Sequence, residues 1–497
     1  ARDIQKQDYH VVSVIGDGSL TGGMAYEALN NAAHVKSNFI IVLNDNNMSI
    51  SPNVGGVSNY LSGLRTATAY TELKRGVEDT LKKIPVKGEK LVSQIKKTKS
   101  GLKQFLVPGM FFEDMGITYL GPVDGHDIRK LYKVFSEAKR LNHAVLVHVL
   151  TKKGKGYLPA EENPSRFHGT PPFVIETGEV KQTSEKDSYT DVFSKVITDV
   201  GRKDEKVVTI TAAMADGTGL NRFAKHFPDR FFDVGIAEEH ALTFAAGLAA
   251  GGMKPVVALY SSFLQRAYDQ TIHDVCLQNL PVVLAVDRAG LVGSDGETHQ
   301  GLFDLSFLTT IPNMTIMSPK NRWEMADMVR YAIDFQYPIA LRYPRGAAYE
   351  GFKEFRAPIE YGKSEMLYQE SEIAIIFVGH MAKLAKDVRE ELKNRGYSCT
   401  LINARFVKPL DKEMLVQLAA NHCIFVTIEE NVLSGGFGQQ VLDCVERERL
   451  DVYVHSFGIP DDYVEHGNVD VLRNEVGLEK TNIVEKIIID YNIARNE

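Results

Sequence analysis

The residues best suited to chemistry are Asp17 and Asn46. The stretch HVVSVIGDGSLTGGMAYEALNNA (10–32) runs an apolar segment into Gly16-Asp17-Gly18 and then a helical pattern. The stretch FIIVLNDNNMS (39–49) runs a second apolar segment into Asn44-Asp45-Asn46, with Met48 just beyond. Each apolar run predicts a buried parallel strand. Adjacent strands bring Asp17 and Asn46 to one carboxyl edge, where open α/β sheets bind ligands. A carboxylate, an amide oxygen and the main-chain carbonyl of Met48 are hard oxygen ligands. They suit a Mg²⁺ ion that keeps its other positions for water and phosphate oxygens. Gly16 and Gly18 admit a close backbone approach, and the helix N-terminus behind them favours an anion. The implied ligand is a diphosphate held through its metal. Gly-Asp-Gly alone fits an ordinary strand–helix turn equally well; the Asn-Asp-Asn strand end is what favours the ligand.

The elements that must position these groups follow a βαβ pattern. Strands are predicted at 10–16, 39–44, 117–120 and 144–151, with helices near 22–34 and 127–141. That predicts a first α/β domain over 1–155, interrupted by an insertion at 50–110. The insertion has eight lysines from Lys82 to Lys103, with Leu91, Ile95, Leu102 and Phe105 at helical spacing. It reads as one or two amphipathic helices, either a basic membrane-surface segment or a solvated excursion packed on its own protein. The second reading is the expectation. A Gly/Pro/Ser-rich stretch makes 156–188 a linker. Apolar strands at 207–211, 255–260, 281–286, 314–318 and 338–343 predict a second domain over 189–350, with an Ala-rich helix at 239–250 suited to close packing. Strands at 373–379, 400–405 and 423–430 and a helix at 435–448 predict a third over 366–497. The fold class is α/β, with three doubly wound domains.

Bulk properties narrow the function. A chain of 497 residues exceeds one core. A net charge of −7 gives no global basic field for nucleic acid or a membrane. Four widely spaced cysteines show no metal or redox spacing, which predicts a reduced, cytoplasmic setting. No apolar run reaches the length of a membrane span.

The motifs resemble those of the 1-deoxy-D-xylulose-5-phosphate synthases, thiamine diphosphate enzymes of the transketolase type. The resemblance rests on the Gly-Asp-Gly and Asn-Asp-Asn pair and on FFDVGIAEEHALTFAAGLAAGG (231–252). It continues through YSSFLQRAYDQTIHDV (260–275), DRAGLVGSDGETHQGLFDLSFL (287–308) and RYPRG (342–346), in family order. It implies a transketolase-like fold and a homodimer. The implied cofactors are thiamine diphosphate and Mg²⁺. The implied reaction decarboxylates pyruvate and joins its two-carbon fragment to glyceraldehyde 3-phosphate, for isoprenoid, thiamine and pyridoxal synthesis. The resemblance puts Glu238 on the cofactor's pyrimidine, as a buried carboxyl that keeps its proton and helps strip the thiazolium C2 proton. Without it, Glu238 and Glu239 would simply open a helix. Phe263 is the implied stacking ring. Tyr260, Arg288 and Arg345 are implied for the acceptor phosphate, since guanidinium groups clamp phosphate bidentately. Arg266, Asp295 and His299 are implied near the donor; His299, with Asp295 four residues earlier, could shuttle a proton. His168 and Lys153 match linker residues that reach the cofactor cleft. The alternatives are another transketolase-like or 2-oxoacid dehydrogenase activity, or a non-catalytic form. The last arises because Ala1 opens the chain without Met, where the family carries a further segment with histidines for cofactor or substrate. The expectation is a chain that was trimmed, is completed by a partner or is incomplete, and is impaired without that segment.

Overall fold

The computed structural model describes residues 1–50, 52–66, 110–181 and 186–495. Their packing divides the chain into two units: residues 1–183 with 234–237, and 184–233 with 238–497.

The first unit is built on four parallel strands, β1 (Val12–Gly16), β2 (Phe39–Asp45), β3 (Thr118–Asp124) and β4 (Ala144–Leu150), in the order β1-β2-β4-β3. The central strands β2 and β4 are almost continuously aliphatic, as burial on both faces requires. β1 lies at the edge, with Val12 and Val14 exposed. Gly16 pairs with Asn44, so Asp17 and Asn46 leave the sheet at the same edge. Helices Gly23–Ala32 and Ile128–Ala138 return the chain between strands. Asp127 caps the second of these by accepting from the N–H groups of Arg129 and Lys130. Helix Gly55–Thr66 begins the predicted insertion; Leu91, Ile95, Leu102, Phe105 and the eight lysines lie outside the described residues.

The second unit holds two sheets among the described residues. In chain order its strands are β5 (Val207–Thr211), β6 (Phe231–Asp233), β7 (Lys254–Tyr260), β8 (Val283–Asp287), β9 (Thr315–Met317) and β10 (Ile339–Arg342). They are followed by β11 (Glu365–Tyr368), β12 (Glu372–Phe377), β13 (Cys399–Asn403), β14 (Phe406–Lys408), β15 (His422–Val432) and β16 (Tyr453–Ile459). The seven-stranded sheet runs β14-β9-β10-β8-β7-β5-β6, parallel except for β14. The five-stranded sheet runs β11-β13-β12-β15-β16, parallel except for β11. β14 belongs by sequence to the later module but completes the edge of the earlier sheet. Beside that crossing, Lys320 donates to Glu324 (3.0 Å) and Glu365 (2.5 Å), and Arg405 to Glu324 (2.8 Å). All four are buried, and two cations balance two carboxylates, as charges removed from water must be.

The four cysteines are free thiols and all lie in the second unit. Burial pushes the Cys276 and Cys399 thiols up to about 12 and raises those of Cys423 and Cys444.

Candidate active site

In the first unit, Asp17 opens a short 3₁₀ turn at Asp17–Thr21 and is 1 % exposed. Its Oδ2 accepts from Asn53 Nδ2 at 2.8 Å and from Arg65 Nη2 at 3.4 Å. Its Oδ1 is buried with no hydrogen-bond partner among the described residues. A bare buried acceptor costs about 1–3 kcal/mol, so a hard cation is a natural complement. Burial and the neighbouring Asp45 push the Asp17 carboxyl up to about 7. Burial alone would raise Asp45 too, but bonds from His148 and Arg65 hold it well below the usual carboxylate range. His148 Nε2 meets Asp45 Oδ2 at 2.8 Å, and the Tyr119 hydroxyl meets His148 Nδ1 at 2.7 Å. Arg65 grips both Asp45 oxygens, with Nε at 2.7 Å from Oδ2 and Nη2 on Oδ1.

Asn46 accepts from the Met48 N–H at 3.1 Å, and Asn47 between them has φ +65°. This Asx turn places the amide oxygen and the Met48 peptide on one tight bend. A Cβ at Gly18 would stand 2.9 Å from Ser49 Cβ, so the two strand-end turns approach too closely for any other residue without a shift. At Gly16 nothing lies within 4 Å of the Cβ position among the described residues, so that glycine answers no crowding from them. Lys153 Nζ donates to the Ser49 carbonyl at 2.5 Å and meets His168 Nδ1 at 2.9 Å. Burial lowers both pKa values.

Sequence reasoning passed over Asp45, Arg65 and His148. Asp45 was visible as the middle of Asn-Asp-Asn, and His148 as one polar residue in the aliphatic run AVLVHVL. Nothing local marked Arg65.

In the second unit, Glu238 begins helix Glu238–Ala250 and is 3 % exposed. Burial raises its carboxyl above the ordinary range, against the opposing pull of Arg266, whose Nη1 donates to Oε2 at 2.8 Å. Glu239 remains half-buried and 3.7 Å from Arg266 Nη2. Burial thus separates two glutamates that adjacency in sequence does not. Arg266, implied near the donor, is thereby joined to Glu238.

Tyr260 ends β7 and stacks on Phe263, their centroids 5.3 Å apart and the planes 24° apart. The His299 ring meets Phe263 edge-on at 5.4 Å. Arg288 follows β8 at φ +61°, its guanidinium carbon 4.5 Å from the Tyr260 ring centre. Its Nη1 donates to Asp287 Oδ1 at 2.9 Å and Thr190 Oγ1 at 3.1 Å. Arg345 Nη1 donates to Asp295 Oδ2 at 2.5 Å and to the Val292 carbonyl at 3.2 Å. Asp295 therefore pairs with Arg345 and not with His299, whose Nδ1 meets Thr298 Oγ1 at 2.9 Å. The guanidinium offers that carboxylate a charge-assisted hydrogen bond. Arg288 and Arg345 line a cavity of about 650 Å³ with Thr190, Asp216, Gly217 and Arg222. A Cβ at Gly217 would stand 2.2 Å from Tyr260 Oη, so glycine lets these walls meet. Two guanidinium groups opening on one cavity can hold a small phosphorylated ligand. Arg222 was not anticipated; its residue type carried no motif.

Residues 1–151 match the 1-deoxy-D-xylulose-5-phosphate synthase family profile. Residues 185–350 match the transketolase pyrimidine-binding domain, and 362–483 the transketolase C-terminal domain. The chain is 54 % identical over 488 residues to the 1-deoxy-D-xylulose-5-phosphate synthase of Lachnoclostridium phytofermentans, across 98 % of this chain and 78 % of that one. It belongs to the 1-deoxy-D-xylulose-5-phosphate synthase family. A second relative, the 1-deoxy-D-xylulose-5-phosphate synthase of Caldanaerobacter subterraneus subsp. tengcongensis, is 50 % identical over all of this chain and 79 % of its own. Among solved structures, a split-gene transketolase described as an inactive β4 tetramer superposes with a TM-score of 0.56 at 27 % identity, over 60 % of this chain and 96 % of its own. A transketolase from Campylobacter jejuni gives 0.54 at 16 % identity, over 97 % of this chain and 77 % of its own, and bears on the fold alone. Membership of this synthase family makes the chain a thiamine diphosphate-dependent transferase of the transketolase class. The pyrimidine-binding match spans Glu238, Tyr260, Phe263, Arg266, Arg288, Asp295, His299 and Arg345.

Proposed function

We propose that this synthase-family chain condenses pyruvate with D-glyceraldehyde 3-phosphate, releasing CO₂ and forming 1-deoxy-D-xylulose 5-phosphate. The product is a precursor for isoprenoids, thiamine and pyridoxal. The observation that carries the reading is Glu238: a carboxyl at a helix start, within the pyrimidine-binding match, whose burial favours the protonated form. When bound, thiamine diphosphate supplies the nucleophilic carbon and electron sink that decarboxylation of a 2-oxoacid requires.

This chain's own groups then bind, orient and hold protons. Glu238 presents its proton to the pyrimidine ring, and Phe263 offers the ring an aromatic face. Asp17, Asn46 and the Met48 carbonyl would hold Mg²⁺ on the diphosphate. The bare Oδ1 of Asp17 supports that ligand set. Gly16, with open space at its Cβ position among the described residues, leaves room for the diphosphate, and Lys153 and His168 add polar contacts on the same side of the first unit. Tyr260, Arg288 and Arg345 receive the acceptor's phosphate. Arg266, Asp295 and His299 serve the donor, with His299 carrying a proton at its ring nitrogen. A homodimer in the cytoplasm completes the reading. Among the described residues, no helix is long and apolar enough to cross a membrane.

The test is a product assay with pyruvate, glyceraldehyde 3-phosphate, thiamine diphosphate and Mg²⁺, read by mass spectrometry. Deoxyxylulose phosphate is expected. A preference for ketose donors over pyruvate would instead make the chain another transketolase.

A further inference from the structure

The loop after β8 carries Arg288, Asp295 and His299, yet its shape is set by residues of the five-stranded module. Gly290 and Gly301 exchange main-chain hydrogen bonds at 2.7 and 2.8 Å and close the loop. Just inside that closure, the Leu291 N–H donates to Glu430 Oε2 at 3.0 Å. Glu430 lies on β15 and is wholly buried. His380 Nε2 meets the same oxygen at 2.7 Å, and Arg473 Nε donates to Oε1 at 2.7 Å. The fit is close: a Cβ at Gly290, where φ is +83°, would stand 2.1 Å from Glu430 Oε2. The far side of the loop is tied to the same module. Gly467 N–H donates to the Gly293 carbonyl at 3.3 Å, and Gln300 Nε2 to the Glu465 carbonyl at 3.0 Å. Gln300 Oε1 in turn accepts from the Val292 N–H at 2.7 Å, and the Val292 carbonyl receives Arg345.

Stability alone does not require a carboxylate at Glu430. Apolar residues of similar volume commonly replace a buried ion cluster with no loss of stability, whereas removing one partner leaves an uncompensated charge. What an apolar residue could not do is accept the Leu291 N–H. We propose that Glu430 is a positioning residue for the acceptor subsite. Held by Arg473 and His380, it fixes the loop so that Arg288 and Arg345 keep one geometry towards the acceptor's phosphate. This rests on the acceptor role given to those arginines above.

The experiment pairs hydrogen exchange with steady-state kinetics on the full chain, wild type against Glu430→Met, which fills similar volume but cannot accept the Leu291 N–H. Exchange in the peptide spanning 289–302 should rise about tenfold, while peptides from Phe437–Glu448 and Tyr453–Ile459 stay unchanged. The KM for glyceraldehyde 3-phosphate should rise about fivefold or more, with the pyruvate KM within about twofold of wild type. Unchanged exchange in the loop overturns the proposal. So does a rise across the whole module, or an equal change in both KM values, either of which would leave Glu430 a merely structural group. Should Glu430→Met fail to fold, Arg473→Gln removes one of the groups holding the carboxylate and is judged by the same contrast. A wild-type chain that makes no deoxyxylulose phosphate would defeat the reaction assignment, while the exchange contrast would still decide the anchoring.

Discussion

At Glu238 and at Asp17 burial favours the protonated carboxyl, but the two surroundings offer different substitutes for water. Glu238 has one guanidinium and a helix start; Asp17 has a second carboxylate, a half-buried arginine and one oxygen with no partner among the described residues. At Glu238 burial prevails over the opposing pull of Arg266 and favours the proton; at Asp17 burial and Asp45 favour it too, but the open oxygen there gives a metal a place from which to displace it. Glu238→Gln should therefore leave cofactor binding near wild type and slow hydrogen–deuterium exchange at the cofactor's C2 by roughly two orders of magnitude or more, read by NMR. The same defect in Glu239→Gln would transfer the role to the neighbour. Asp17→Ala should abolish Mg²⁺-dependent binding of thiamine diphosphate in calorimetry; unchanged affinity would remove Asp17 from the ligand set. Loss of Arg345 should cost roughly 1.5–3 kcal/mol of acceptor binding, about tenfold to a hundredfold in KM, with pyruvate little affected. Substitution at Arg288 is less clean, because its backbone sits at φ +61°. The choice of Glu238 was legible only through the motif. The Asp45–His148–Tyr119 chain was not legible, because it joins strands distant in sequence whose own pattern is aliphatic.

The long parallel strands were readable because each is a short apolar run bounded by turn residues. VVTIT predicts β5 at its observed bounds, and β2, β7 and β15 lie within a residue or two of their predicted ends. The strands given no range in advance are β6, β11, β14 and β16. β14 is three residues before Pro409, too short for any period to show. β16 mixes polar and apolar residues because it is an edge strand, with one side open. β15 holds two adjacent carboxyls that illustrate what sequence cannot convey. Burial pushes Glu429 up to about 7, although Phe437 and Gly438 N–H groups donate to it. Glu430 is equally buried, but Arg473 and His380 hold it well below the carboxylate range. A carboxyl raised on folding stabilises fully below its unfolded pKa and loses that contribution as pH rises. For Glu429 the window runs from 4.5 to about 7, and the total is on the order of 3 kcal/mol. Denaturant unfolding of the second unit, read through Trp323, should weaken across that window, and Glu429→Gln should flatten the dependence. An identical slope in the variant would mean that another group sets it. Glu430 acts in the opposite sense, and its contribution is lost only in strong acid.

The chain as a whole is acidic, with a net charge of −7, and among the described residues Arg222, Arg288 and Arg345 gather at the walls of one cavity. It is also uneven in a way that has a practical use. The four thiols of the 497 residues all lie in the second unit, and three are buried. With thiolate formation suppressed and access blocked, alkylation at mildly alkaline pH waits for the protein to open. In a maleimide time course followed by intact mass, Cys423 should label first. Cys276, Cys399 and Cys444 should follow together, at the rate at which the second unit unfolds. Three separate rates would mean that its two sheets come apart independently. The first unit contributes no signal at all, so the label count times the opening of one unit while remaining blind to the other.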